Sequence, residues 1–108
     1  DILIGGDGND WIEAGTGANA VNAGDGDDTV VGGVDDDTVL GGDGDDYLFG
    51  NTGNDVLLGG DGNDYVSGQA GDDTLAGNLG TDTLVGSAAE IDESFTLDPD
   101  LLDLLDTV

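Results

Sequence analysis

The chain has 108 residues, 26 of them acidic, with no lysine, arginine, histidine or cysteine, and a formal charge of −26. No ion pair between side chains can form, no disulfide or cysteine-ligated zinc site is available, and nucleic acid is excluded as a partner for want of any basic patch. Self-repulsion on this scale and 22 glycines both oppose compaction, so the chain is expected to stay disordered until cations from solution neutralise part of it.

Residues 1–4 read as the tail of a repeat. The chain opens in mid-phrase at Asp1, as a piece or processed subunit of something longer would. From residue 5 to residue 85 one nine-residue phrase runs nine times without insertion. Its clearest copies are GGDGNDWIE (5–13), GGDGDDYLF (41–49) and GGDGNDYVS (59–67). A repeat of this kind dictates architecture before any local propensity does.

Position eight of the phrase holds Ile12, Val21, Val30, Val39, Leu48, Leu57, Val66, Leu75 and Leu84. All are aliphatic, which makes this the core position. Positions seven to nine are expected to form a very short strand whose middle residue points inward. Positions one to six form a turn, where glycine permits positive φ. Position six is aspartate in every copy except the second, which has Asn19. A glycine-rich turn with bare carbonyls and one carboxylate offers the oxygen chemistry that a hard cation such as Ca²⁺ takes. The further acids at positions three and five, among them Asp7, Asp25, Asp27, Asp36, Asp43, Asp45, Asp61 and Asp72, are expected to point to solvent.

Beyond residue 85 the phrase decays. Gly86 keeps position one, but in unbroken phase Ile91 stands where the aspartate should be. Residues 94–97 alternate as a last strand would. Asp98, Pro99 and Asp100 read as a helix start, and a short amphipathic helix is expected over about 99–106, with Leu101, Leu102, Leu104, Leu105 and Val108 on one face. The expected organisation is a repeat domain over 1–85 and a C-terminal cap over 86–108. Phe95, Leu97 and the helix leucines would cover the open end of the coil.

These residues resemble the RTX (repeats-in-toxin), or hemolysin-type, calcium-binding nonapeptide family, over about three quarters of the chain; the phrase is itself a known Ca²⁺-binding repeat of parallel β-helices. The resemblance implies an all-β fold, a right-handed parallel β-roll (a β-solenoid with two nonapeptide repeats per turn). It implies Ca²⁺ between vertically adjacent turns, held by the position-six carboxylates of repeats n and n+2 and by backbone carbonyls. On one edge of the roll the carboxylates would be Asp10, Asp28, Asp46, Asp64 and Asp82. On the other they would be Asp37, Asp55 and Asp73, below which Asn19 interrupts the series. About six full sites follow: 10/28, 28/46, 46/64, 64/82, 37/55 and 55/73. The second edge departs further from the phrase at Asp35, which replaces a position-four glycine, and at Asn51 and Gln69, which replace position-two glycines. The first edge is therefore expected to hold metal better.

The function that follows is a Ca²⁺-binding structural module of a bacterial protein exported by a type I system. It would be unfolded in the cytosol and folded outside the cell, where sites of about 10⁻⁴–10⁻³ M affinity are filled. The alternative is an extracellular self-assembling filament, surface-layer or adhesin segment. It would make contact through the outward residues Trp11, Tyr47, Phe49 and Tyr65 and through the C-terminal helix. Membrane insertion is not expected, as no apolar run is long enough. Neither is enzymatic activity: every carboxylate pair sits in the metal register, and a filled coil offers no pocket.

Overall fold

A computed structural model describes residues 1–86 and Ile91. Ten strands follow one another: β1 (Ile2–Asp7), β2 (Trp11–Glu13), β3 (Ala20–Asp25), β4 (Thr29–Gly33), β5 (Thr38–Asp43), β6 (Tyr47–Asn51), β7 (Val56–Asp61), β8 (Tyr65–Ser67), β9 (Thr74–Leu79) and β10 (Thr83–Val85). The odd strands form one five-stranded sheet in the order β1-β3-β5-β7-β9, and the even strands form the other, β2-β4-β6-β8-β10. Every pairing is parallel, and every register is shifted by eighteen residues. Leu3 faces Val21, Val39, Leu57 and Leu75 in succession, and Ile12 faces Val30, Leu48, Val66 and Leu84. Two repeats therefore make one turn of an all-β parallel solenoid about five turns long.

The core is the file of position-eight side chains. Val21, Val30, Val39, Leu48, Leu57, Val66 and Leu75 are completely buried, and Leu3, Ile12 and Leu84 pack against them at the ends. Each fully buried aliphatic contributes roughly 1.5–3 kcal/mol. One residue per repeat suffices because the two sheets face each other and share a single interior.

The strands of the first sheet are longer than the three residues expected. β3, β5, β7 and β9 run on through positions one to three of the next repeat, pairing Gly6, Gly24, Gly42 and Gly60 in one file and Asp7, Asp25, Asp43 and Asp61 in another. Backbone groups stacked this closely must find partners. Near-identical turns (GGDG, AGDG, GGDG, GGDG) superpose well enough to supply them. The turns on the other edge differ from one another, and β8 and β10 stop after three residues.

Positive φ occurs at positions two and four. Asp35 takes it at 80°, Asn51 at 73°, Gln69 at 67° and Asn78 at 70°. The turn thus imposes the left-handed region on Asp35, as expected. Asn78 adds one such residue on the first edge.

Ile91 corrects the phase of the tail. It does not take the aspartate's place but pairs in parallel with Leu75, a position-eight residue, and packs against the core. The separation is sixteen residues where every other pairing has eighteen, so two residues are missing from the tenth repeat. The expected strand over 94–97, the helix over 99–106 and the capping role of Phe95, Leu97 and the leucines lie outside the described residues.

Positions seven and nine turn away from the core. On the second sheet Trp11 is 69 % and Tyr47 54 % exposed. The rings of Tyr47 and Phe49 each lie 5.9 Å from that of Tyr65. On the first sheet Leu58 and Ala76 are buried in a second small apolar cluster with Ala20, Leu40 and Val56.

Candidate metal centre

The position-six side chains are brought into two vertical files. In the first, the backbone N–H of Asp10 donates to Oδ1 of Asp28 (2.7 Å), Asp28 to Asp46, Asp46 to Asp64 and Asp64 to Asp82 (2.8 Å each). In the second, Asn19 donates to Asp37 (2.9 Å), Asp37 to Asp55 and Asp55 to Asp73 (2.8 Å each). All eight aspartates expected as ligands fall in these files, along with Asn19. Asp28, Asp37, Asp46, Asp55, Asp64 and Asp73 are buried, and Asp10 and Asp82, nearer the ends, are half-buried.

One oxygen of Asp28, Asp37, Asp46, Asp55, Asp64, Asp73 and Asp82 is thereby used. Oδ2 has no hydrogen-bond partner in Asp10, Asp28, Asp37, Asp46, Asp55 and Asp64, although it is sealed from solvent. Buried carboxylate oxygens without partners are costly, and here they recur at these six positions along the two files. Burial pushes the carboxyl of Asp46 up to about 7, and those of Asp55 and Asp64 up to about 6. The accepted backbone hydrogen bond opposes this, and the stacked neighbouring carboxylates add to it. Asp28 and Asp37 are raised for the same first reason.

The glycine at position one belongs to this arrangement. A Cβ built on Gly41 would lie 2.6 Å from both Asp46 Oδ2 and the carbonyl oxygen of Gly59 in the turn above. A Cβ on Gly32 would lie 2.7 Å from Asp37 Oδ2 and 2.9 Å from Gly50 O. The unpartnered carboxylate oxygen and a carbonyl oxygen thus converge on one small space. Among the described residues no group of three or more acidic side chains is arranged to hold a metal by itself. A cation in these files would need carbonyl oxygens to complete its shell, and all-oxygen coordination with shared carboxylates suits Ca²⁺.

Position five holds a structural role that sequence reasoning missed. Its side chains are exposed but not idle. Asn9 Oδ1 accepts from Asp27 N, Asp27 from Asp45 N, Asp45 from Asn63 N and Asn63 from Thr81 N, at 2.8–2.9 Å. On the other edge Asp36 accepts from Asn54 N (2.7 Å) and Asn54 from Asp72 N (3.0 Å). These bonds run opposite to those of position six: a side chain below takes an N–H from the turn above. The available signal was the interchange of Asp with Asn, which share an acceptor oxygen but not a charge. Asp7, Asp25, Asp43 and Asp61 at position three are exposed, as expected.

A cavity of about 320 Å³ opens at the first turn, lined by Leu3, Ile4, Gly5, Asp10, Trp11, Ile12 and Glu13.

Parallel sheets with an eighteen-residue register, glycine turns at positive φ and two files of buried carboxylates with oxygens left over define a parallel repeat solenoid whose turns offer oxygen ligands to a cation. The family model for the RTX calcium-binding nonapeptide repeat (4 copies) matches residues 1–30, 22–57 and 49–84. The chain belongs to the RTX calcium-binding nonapeptide repeat family, whose repeats bind Ca²⁺. No curated protein and no solved structure matched it in the corresponding searches.

Proposed function

We propose that the chain is a module that folds on binding Ca²⁺ and serves a secreted bacterial protein as a structural element. The observation that carries this reading is the set of buried carboxylates at Asp28, Asp37, Asp46, Asp55 and Asp64, each with one oxygen bonded to the turn below and one oxygen without a partner. The ligands would be Asp10, Asp28, Asp46, Asp64 and Asp82 on one edge and Asp37, Asp55 and Asp73 on the other, giving about six ions between stacked turns. Bound Ca²⁺ supplies positive charge to a chain that has no cationic side chain, and its binding free energy becomes folding free energy. Extracellular Ca²⁺ matches the affinity range of such modules, about 10⁻⁴–10⁻³ M, so export before folding is the natural order of events. The role proposed is structural, as calcium-binding repeats of this family are structural modules.

The test is far-UV circular dichroism with calorimetric Ca²⁺ titration. The expected outcome is a coil-like spectrum with chelator at neutral pH, a β-rich one in millimolar Ca²⁺, and about six ions bound. A β spectrum that persists in chelator at neutral pH would sink the proposal.

A second reading is favoured by the exposed Trp11 and Tyr47 on the second sheet, beside the packed rings of Phe49 and Tyr65. An aromatic stripe on a sheet face is suited to contact with a neighbouring domain or another copy. Light scattering of the Ca²⁺-loaded chain separates the two: a concentration-independent monomer excludes self-assembly.

A further inference from the structure

At Asn19 the second edge has an amide where its later described turns have Asp37, Asp55 and Asp73. Asn19 is 5 % exposed. Its Oδ1 takes the place of an aspartate Oδ1 in the ladder, accepting over the same eighteen-residue step from the terminal ammonium of Asp1 at 3.1 Å, which stands where the other turns have a backbone N–H. Its other atom is Nδ2, in the position of the aspartate oxygen that has no partner. Nδ2 has one: it donates to the carbonyl oxygen of Gly17, in its own turn, at 2.9 Å. The orientation of the amide follows from these two bonds, since the flipped form would set a donor against the Asp1 nitrogen and an acceptor against Gly17 O. The carboxamide and backbone N–H of Asn19 also draw the carboxyl of Asp37 downward, against the upward push of burial.

We propose that the Asn19 carboxamide does the work of a cation in this turn, so that the first turn of the second edge closes without metal. The inference rests on the reading that the position-six files hold Ca²⁺. With aspartate at position 19, Oδ2 and Gly17 O would be two acceptors facing each other, a repulsion that a shared Ca²⁺ reconciles. With asparagine, the N–H of the amide reconciles it and leaves no charge to attract an ion. Asn19 is therefore a specificity residue that excludes metal rather than a weak ligand. The lower part of the second edge is held independently of Ca²⁺, while the first edge depends on it throughout.

The experiment compares calorimetric Ca²⁺ stoichiometry and the Ca²⁺ concentration for half-folding in the wild type, Asn19→Ala, Asn19→Asp and Asp46→Ala. Asn19→Ala should bind as many ions as the wild type but fold with a constant lower by roughly three- to tenfold, the worth of a lost hydrogen bond. Asn19→Asp should bind at least one more ion. Loss of an ion in Asn19→Ala, or no gain in Asn19→Asp, overturns the inference. Asp46→Ala is the control for the underlying reading: if its stoichiometry equals that of the wild type, the files are not the Ca²⁺ sites and that reading fails separately. Should Asn19→Ala not fold, NMR of the Ca²⁺-loaded wild type decides. The Asn19 side-chain NH₂ should exchange with solvent far more slowly than those of the exposed Asn9 and Asn63, and equally fast exchange overturns the proposal.

Discussion

Acid should stabilise the folded form of the Ca²⁺-free chain, because protons can take up the charge that Ca²⁺ otherwise neutralises. The buried carboxyls of Asp46, Asp55 and Asp64 have pKa values raised to about 7, 6 and 6 from the ordinary 3.8. A group whose pKa is raised in the folded state stabilises that state at low pH, and the contribution is lost as pH rises through the folded value. Between pH 8 and pH 5 the folded-to-unfolded ratio should therefore rise by roughly a hundredfold or more, led by Asp46 with Asp55 and Asp64 adding to it; the total is smaller than the product of the three, because protonating one carboxyl relieves its neighbour in the file. The assay is far-UV circular dichroism in chelator as a function of pH, with proton uptake on folding measured beside it. β structure should grow between pH 7 and pH 5, above the sequence isoelectric point of about 4.1, with about three protons bound on folding near pH 5. The reverse should hold for Ca²⁺: its apparent affinity falls over the same range as protons compete for the carboxylates. A metal-free chain that remains coil-like from pH 8 to pH 5 and takes up no protons would refute the claim that these carboxylates are buried without compensation.

Leu48→Ala, in the middle of the completely buried file, should cost about 2–5 kcal/mol, read as a lower thermal midpoint in saturating Ca²⁺. Gly41→Val replaces no proposed ligand, but its Cβ would lie 2.6 Å from Asp46 Oδ2 and from Gly59 O and its two methyls add to that crowding; calorimetry should show weakened Ca²⁺ binding, with a smaller effect for Gly41→Ala, which adds the Cβ alone, as Ala23 has at the equivalent position. Ile91→Asp places a charge against Leu75 and the core end and should raise the Ca²⁺ concentration needed for half-folding, while an unchanged midpoint would show that the pairing contributes nothing. Mg²⁺ at equal concentration should fold the chain poorly, since it demands near-ideal octahedral geometry and gives up water reluctantly; circular dichroism in each metal checks this.

Much of the molecule could be read from the order of its residues. A strict nine-residue period with one aliphatic and one aspartate per copy leaves few architectures, because a unit this short can bury its apolar residue only against its neighbours. The core file, the position-six files and the departure of Asp35 from a glycine position were all legible in that way, and the resemblance to a known repeat supplied the eighteen-residue pairing that the structure shows. Repeat position separated exposed Asp27 from buried Asp28, but what it could not decide was their bonding. The two are adjacent and chemically the same, yet the side chain of Asp27 accepts from the turn above while that of Asp28 accepts from the turn below. The difference comes from which side of the turn each side chain leaves the backbone. Ile91 was misread for a related reason: sequence phase is counted along the chain, whereas Ile91 pairs with Leu75 at a separation of sixteen residues and packs on the core. Asn19 reads in sequence as a missing charge. Only the folded turn, which sets its amide nitrogen 2.9 Å from Gly17 O, turns that absence into a bond.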